Sequence, residues 1–366
     1  MFKKSFPLAC AVAAALGSLG SGTAVADVPL PTVGGKIFAD LSNLDQKEND
    51  TKIAPSGTGV DVQRFYVIIG EKFDDMWSAN ITTDASYSSG GGAVDVFIKK
   101  AYLQYSLPGS KALWARLGSA DLPWVPFVED LYGYRYVDHV IVDRLHFGTS
   151  ADWGLHGGGA IDGASYAVSV VNGSGYKNPT RSKSMDVEAR LAYQPISGLT
   201  VAIGGYSGKL GKDNYAVAAT DTTTATYHTA DRLDALVAYV GNGARLGVEY
   251  FSANDWNNVT TPASDKADGY SAWAAYDFTP MFGVFGRWDE AKTSKDLAPN
   301  VKDEYFNVGL AAHATSKIDV SLVYKHEKMD NGFINTAYTG YSSKLGTAPM
   351  TSGEVNEIGI FTQVAW

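Results

Sequence analysis

The charged side chains of this sequence that could bind or select ions fall into two groups. One group lies within a single long segment, residues 119–149. Its acids are Asp121, Glu129, Asp130, Asp138 and Asp143, and its bases are Arg135 and Arg144. The second group consists of Arg64, Lys100 and Arg116, on neighbouring predicted strands. Acids that face bases across a narrow opening would create a field that decides which ions pass. The alternative is that such charges only keep a polar interior wet.

The segment 119–149 is also apolar for a connection between strands. It reads SADLPWVPFVEDLYGYRYVDHVIVDRLHFGT, with Trp124, Phe127 and Tyr132 among its large side chains. Surface loops are usually polar because they run through water. We therefore expect this segment to fold inwards and pack against an inner wall. Packing on neighbouring loops or on a partner subunit is the alternative.

No pattern of catalytic or ligand-binding residues accompanies these charges. The six histidines show neither HExxH nor paired-ligand spacing. The pair Asp186 and Glu188 could serve as an acid and a base, but it lies among ordinary polar residues of one predicted strand. The stretch GGYSGKLGK lacks the spacing of a phosphate-binding loop. We therefore predict no cofactor, no metal site and no enzyme activity.

The elements that must position the charges are strands with two different faces. The last stretch, Glu357 to Trp366, alternates strictly, with Ile358 and Ile360 on one parity and Phe361 on the other. Its length of about ten residues suits a tilted strand that crosses a bilayer. A strand in a membrane has to pair on both sides, because an open edge leaves backbone groups without partners. A closed barrel follows, with an ordinary edge strand of a soluble sheet as the alternative.

The same alternation recurs along the chain, and short turns alternate with long loops. We count about sixteen strands, an even number, although a missed or split pair would give fourteen or eighteen. The first strand is expected at residues 36–43, followed by a long polar segment, residues 45–59. On the fourth strand Lys100 falls on the inward parity, whereas Lys99 falls on the outward one and is expected near the outer rim. The predicted fold is an all-β transmembrane antiparallel barrel whose long third loop folds into the lumen.

The N-terminus has the form of a secretory signal peptide. Lys3 and Lys4 precede an apolar run and the small-residue site Ala24-Val25-Ala26. We predict a signal peptide over residues 1–26 and a barrel over residues 27–366, with residues 119–149 as its constriction loop. The single cysteine, Cys10, lies in the predicted signal peptide. The net charge of −9 argues against binding to nucleic acid.

Three segments resemble the phosphate-selective porin O and P family. They are VDVQRFYVIIGEKFDD, IKKAYLQYSL and ALWARLGSADLPWVPFVED, which together give an arginine-bearing strand, an "-AY-" strand and a Gly…Pro-aromatic…Glu segment. In this chain the last segment supplies Gly118, Pro123, Trp124 and Glu129. The resemblance implies a sixteen-stranded homotrimeric porin of a Gram-negative outer membrane, in which the third loop forms the constriction. The negative net charge and Lys100 depart from the family pattern, so phosphate selectivity is not carried over.

The predicted function is passive diffusion of small hydrophilic solutes and ions through a water-filled channel with a charged constriction. Outer-membrane lipid and the barrel-insertion machinery, through the terminal strand, are the other expected partners. The alternatives are a channel selective for anions or another solute, a barrel adhesin or receptor, and an outer-membrane enzyme. Neutralising Arg64, Lys100 and Arg116 together is expected to shift permeability towards cations.

Overall fold

The computed structural model describes residues 31–87, 94–215, 226–331 and 352–366. The predicted signal peptide lies outside these residues. In the described part of the chain, two short helices accompany the strands, α1 (Val125–Tyr132) and α2 (Ile141–Arg144). The strands are β1 (Thr32–Glu48), β2 (Thr51–Lys72), β3 (Trp77–Tyr87), β4 (Val94–Ser106), β5 (Trp114–Asp121), β6 (Ala151–Ile161), β7 (Ala164–Val171), β8 (Asp186–Ile196), β9 (Leu199–Gly208), β10 (Ala230–Gly241), β11 (Ala244–Asn254), β12 (Lys266–Asp277), β13 (Phe282–Lys292), β14 (Lys302–Thr315), β15 (Ile318–Asp330) and β16 (Ser352–Ala365).

These strands form one closed barrel in which every strand pairs antiparallel with its neighbours in sequence. The terminal strand β16 closes it by pairing with both β15 and β1, where Leu41 lies opposite Ile360. Closure leaves no free edge, so the backbone groups of every strand find partners. The predicted all-β barrel of about sixteen strands is confirmed.

Short turns and long loops alternate around the barrel and define its two ends. At the short-turn end, Asp162-Gly163 and Asn242-Gly243 connect strands through residues with positive φ. At the long-loop end, the connection between β1 and β2 differs from the prediction. Residues 45–59, expected as a polar loop, extend the two strands, which join through Asn49 and Asp50 with φ of 48° and 64°. The two strands pair along this extension, with Leu44 opposite Gly57, so the polar side chains lie on a paired ribbon.

The two faces of the sheet have opposite surroundings. Outward-facing aliphatic side chains are exposed, such as Ile358 with 54% of its surface, whereas inward-facing Phe361 is fully buried. An exposed apolar band around a closed barrel matches the hydrocarbon layer of a membrane, where strands alternate between lipid and lumen. None of the helices among the described residues is long and apolar enough to cross a membrane.

Candidate functional site

The lumen is narrowed by the connection between β5 and β6, which we call the inward loop. Because β5 extends to Asp121 and β6 begins at Ala151, the loop comprises residues 122–150, and its ends meet where the Leu122 amide donates to the Ser150 carbonyl over 3.0 Å. Large side chains of the loop are almost fully buried: Trp124, Tyr132, Tyr136, Ile141 and Phe147. They pack into one cluster with the inward-facing side chains of β1 and of β8 to β16. Each buried aliphatic or phenyl group contributes about 1.5–3 kcal/mol.

Trp124 fixes the start of the loop by two hydrogen bonds to wall carboxylates. Its backbone N–H donates to Glu188 Oε1 and its indole Nε1 donates to Glu249 Oε1, both over 2.8 Å. The first bond supplies a partner at the N-terminus of α1, where side-chain capping is absent. Gly204 leaves room for the indole, since a Cβ there would lie 2.5 Å from the ring.

The end of α1 is fixed by its own C-cap and by an arginine of β11, the strand that also carries Glu249. The helix stops at Gly133, which has a φ of 84° and donates its N–H to the Glu129 carbonyl over 2.8 Å. Arg245 of β11 donates to the carbonyls of Asp130 and Leu131, each over 3.1 Å. A guanidinium at a helix C-terminus satisfies carbonyls that have no partner within the helix and complements the helix dipole.

The second half of the loop is held by Arg144, which enters a pocket of wall carboxylates. It binds Asp289, Asp303 and Glu327, at 3.2, 2.6 and 2.5 Å. Only 2% of the Arg144 side chain is exposed and the three carboxylates are fully buried, while Tyr305 lies under the guanidinium at 4.5 Å. Here a base of the loop binds acids of the wall, whereas the sequence predicted acids on the loop and bases on the wall. It is an anchor that positions the loop.

A further charged cluster joins the loop to β2 and β3. Arg64 Nη2 lies 3.1 Å from His139 Nε2, and Arg64 Nε lies 3.7 Å from Asp84. Within the loop, Arg135 Nε donates to Glu129 Oε1 over 2.5 Å. Because an arginine can only donate, His139 Nε2 accepts and is unprotonated in this contact.

Acidification is expected to loosen the loop through His139. Burial, followed by the nearby charge of Arg135, lowers the pKa of His139 to about 4, against 6.5 for a free imidazole. The undocked loop therefore takes up a proton as pH falls below 6.5, and the docked loop only near pH 4. Docking stability, complete above pH 6.5, should fall by about 3 kcal/mol across that window. The measurement is the frequency of channel flicker and the thermal unfolding temperature between pH 7.5 and 4.

His139→Gln is the matched variant, because a glutamine oxygen can accept from Arg64 without titrating. Its flicker and unfolding temperature should change less with pH than those of the wild type. The charges that act on His139 are Arg64, Arg135, Asp138 and Asp143, and none of them is altered. Identical pH profiles in the two proteins would contradict the role given to His139.

Lys99 lies inside the barrel, and its predicted place near the outer rim was wrong. The pairing of β3 with β4 shifts between Thr82 and Thr83, so Lys99 is an extra residue in a bulge. It is 7% exposed and donates to the Tyr66 hydroxyl over 3.1 Å. The bulge therefore turns both Lys99 and Lys100 inwards.

The wall from β4 to β8 includes inward-facing side chains that are partly exposed, and we call this set the open wall: Lys100, Tyr102, Arg116, Asp121 and Arg190. Lys100 binds Asp121 at 2.6 Å, with 24% and 31% of the two side chains exposed. Arg116 lies between the rings of Tyr102 and Trp114, at 4.7 and 4.5 Å, and its Nε donates to Gln104. Further along, Arg190 lies 3.8 Å over the ring of Phe127 of the inward loop, and its Nε donates to the Pro123 carbonyl.

Asp130 is the acid that α1 presents to the opening. Its side chain is exposed, and the nearby charges that act on it are Asp121, Lys36, Lys100 and Arg245. The surrounding barrel and loop partly desolvate the Asp130 carboxyl and, followed by the neighbouring Asp121, raise its pKa, and the three bases oppose that rise. Asp130 therefore faces bases from β1, β4 and β11 across the remaining space.

The predicted charges thus separate into two sets. Lys100, Arg116, Asp121 and Asp130 remain partly exposed inside the barrel, whereas Arg64, Glu129, Arg135 and Arg144 have at most 18% of their side chains exposed and hold the loop. Sequence reasoning missed two kinds of residue. The bases Lys36, Arg190 and Arg245 are also partly exposed, and the acids Glu249, Asp289, Asp303 and Glu327 bind the loop. The sequence feature that could have identified these residues is a charged side chain on the inward parity of a predicted strand.

The carboxylates considered for acid and base chemistry serve structural contacts. Asp186 accepts from the Tyr206 hydroxyl over 2.6 Å and from the amides of Lys209 and Leu210. Glu188 accepts from the Trp124 amide and from Arg232 Nη2. Asp186 therefore stabilises the wall beneath the long loops, and Glu188 stabilises the start of α1.

Comparison with solved structures finds the same architecture in outer-membrane channels. An anion-selective porin from Comamonas acidovorans is 13% identical, with 92% of this chain and 99% of that chain covered at a TM-score of 0.63. The trimer form of OmpT, an outer membrane protein of Vibrio cholerae, is 13% identical over 92% and 100%, at 0.61. The outer membrane channel DcaP of Acinetobacter baumannii is 12% identical over 92% and 97%, at 0.61.

The chain therefore has the sixteen-stranded fold of outer-membrane porins. No protein-family profile matches the sequence. No curated protein sequence matches it either. A specific likeness to the porin O and P family is not among these similarities, which establish the fold at low identity.

Proposed function

We propose that this protein is an outer-membrane porin through which small hydrophilic solutes and ions diffuse passively. One observation carries the proposal. The inward loop packs on β1 and on β8 to β16, while the open wall keeps Lys100, Tyr102, Arg116 and Arg190 partly exposed. A barrel of sixteen strands is wide enough for an aqueous channel when its lumen is not filled by side chains. The loop then sets the width of the passage.

The location and assembly follow from the same proposal. The exposed apolar band suits the outer membrane, and a cleaved signal peptide over residues 1–26 would export the chain. The terminal strand, which closes the barrel, would be the segment that the insertion machinery recognises. A homotrimer is the proposed assembly, in keeping with the trimer form of the Vibrio cholerae protein.

Liposome swelling tests the proposal with uncharged solutes. Liposomes that contain the refolded barrel should swell in isosmotic arabinose and glucose, and more slowly in larger sugars such as sucrose and raffinose. The control is liposomes that contain the heat-unfolded protein. A folded barrel that admits none of these sugars would contradict the porin proposal and would favour an adhesin, a receptor or an enzyme.

A further inference from the structure

We infer that the constriction prefers anions and that small organic carboxylates are its favoured solutes, an inference that rests on the proposed channel function. On the strands around α1, the described part of the chain places five partly exposed bases, namely Lys36, Lys100, Arg116, Arg190 and Arg245. Two acids beside α1, Asp121 and Asp130, lie near them, and the partly exposed Asp277 and Asp319 lie near Arg245. A ring of charge of one sign at a narrow point selects ions of the opposite sign. This sign is opposite to that of the chain as a whole, whose net charge is −9.

The two acids offset only part of this positive charge. Asp121 is bound by Lys100 at 2.6 Å, so that pair is close to neutral as seen by a passing ion. The positive charges of Lys36 and Arg245, in addition to that of Lys100, interact electrostatically with the Asp130 carboxylate. Arg116 and Arg190 have no carboxylate among the partners that hold them, which are a glutamine, a serine, a backbone carbonyl and aromatic rings. The uncompensated charge therefore lies with these two arginines.

The opposite wall does not supply acids that would cancel them. The inward-facing carboxylates under the loop are buried, and several are paired with bases: Asp289 with Arg287 and Arg144, and Glu357 with Lys325. At the short-turn end, Asp277 and Asp319 both contact His313, at 3.2 and 2.7 Å. The carboxylates beneath the loop are therefore buried, and Asp277 and Asp319 share His313 as a partner.

The two arginines are mounted in a way that suits carboxylates. Arg116 lies between two aromatic rings, and among its hydrogen bonds to described residues only Nε is used, on Gln104. Arg190 is stacked 3.8 Å from Phe127, its Nε donates to the Pro123 carbonyl and its Nη1 donates to Ser165 Oγ, so Nη2 and the second hydrogen of Nη1 are left for a solute. Stacking fixes the plane of a guanidinium, and a fixed plane favours paired hydrogen bonds to the two oxygens of a carboxylate. Contacts of this kind are strong enough to attract the solute. For a solute with a single charge they are also weak enough to release it.

The test is the reversal potential of the full refolded barrel in a planar bilayer. In a KCl gradient the wild type should carry chloride in preference to potassium, and potassium acetate should give a measurable acetate current. The triple variant Lys100→Gln, Arg116→Gln and Arg190→Gln should lower the anion-to-cation permeability ratio several-fold and reduce the acetate current further. The charge-matched control is Lys52→Gln, Lys72→Gln and Lys111→Gln, at exposed positions near the ends of strands, which should leave the ratio near the wild-type value.

The outcomes separate this inference from the proposed function. Openings with a cation preference in the wild type, or an unchanged ratio in the triple variant, would overturn the anion assignment and leave the porin proposal standing. A chloride preference with no acetate current would overturn the carboxylate assignment. A folded barrel without conductance would overturn the porin proposal and the inference together.

Discussion

Replacing Arg144 with methionine is expected to undock the second half of the inward loop at a cost of about 3–5 kcal/mol. The substitution leaves Asp289, Asp303 and Glu327 without their shared base, and each of the three carboxylates is fully buried. Removing one partner from a buried ionic cluster is costly because the remaining charges have lost their water. The expected readouts are frequent transitions between conductance levels, faster proteolysis within residues 122–150 and a lower unfolding temperature.

A compensating variant distinguishes electrostatics from lost packing. Arg144→Met combined with Asp303→Asn and Glu327→Gln removes most of the charge that Arg144 balances, so a large part of the docking stability should return. Arg181→Met, at an exposed arginine of another loop, is the control and should behave like the wild type. Steady single-level openings in Arg144→Met, with unchanged protease resistance, would contradict the anchor role.

Replacing residues 125–145 with a short Gly-Ser linker is expected to raise single-channel conductance several-fold and to abolish the anion preference. Conductance should rise because the passage is wider when the loop's aromatic side chains no longer occupy the lumen. The selectivity should change because the wall beneath the loop then faces water with Glu188, Glu249, Asp303 and Glu327. The measurements are the conductance steps and the reversal potential in a KCl gradient.

The control deletion removes residues 294–299 from the connection between β13 and β14, where Leu297 is exposed. That variant should keep the wild-type conductance and selectivity. If removal of the inward loop left both quantities unchanged, the loop would not form the constriction. If conductance rose while the anion preference persisted, the wall beneath the loop would not carry the negative charge assigned to it.

The faces of the strands were predictable from sequence because alternation is a local property. The parity of Ile358 and Phe361 correctly distinguished the outward from the inward face of β16. The bulge at Lys99 was not predictable, because the extra residue is set by a register shift against β3. One inserted residue reverses the parity of everything beyond it, so the face of Lys99 was assigned incorrectly.

The inward loop was predictable from its composition, but its contacts were not. Trp124 and Tyr132 required a surface to pack on, and the lumen supplies it. The carboxylates that hold Arg144 lie 145 to 183 residues further along the chain, and no local pattern connects them. Which charges face the passage and which hold the loop depends on the path of the loop, and that path is a tertiary property.

Single-channel recording of the wild-type barrel in a planar bilayer, with a KCl gradient across it, tests the central claim most directly. We expect stepwise, long-lived openings whose reversal potential has the sign of a chloride preference. That result would establish an open passage beside the docked loop and a basic constriction within it. A correctly folded barrel that stays electrically silent would contradict the claim, because the loop would then close the lumen instead of narrowing it.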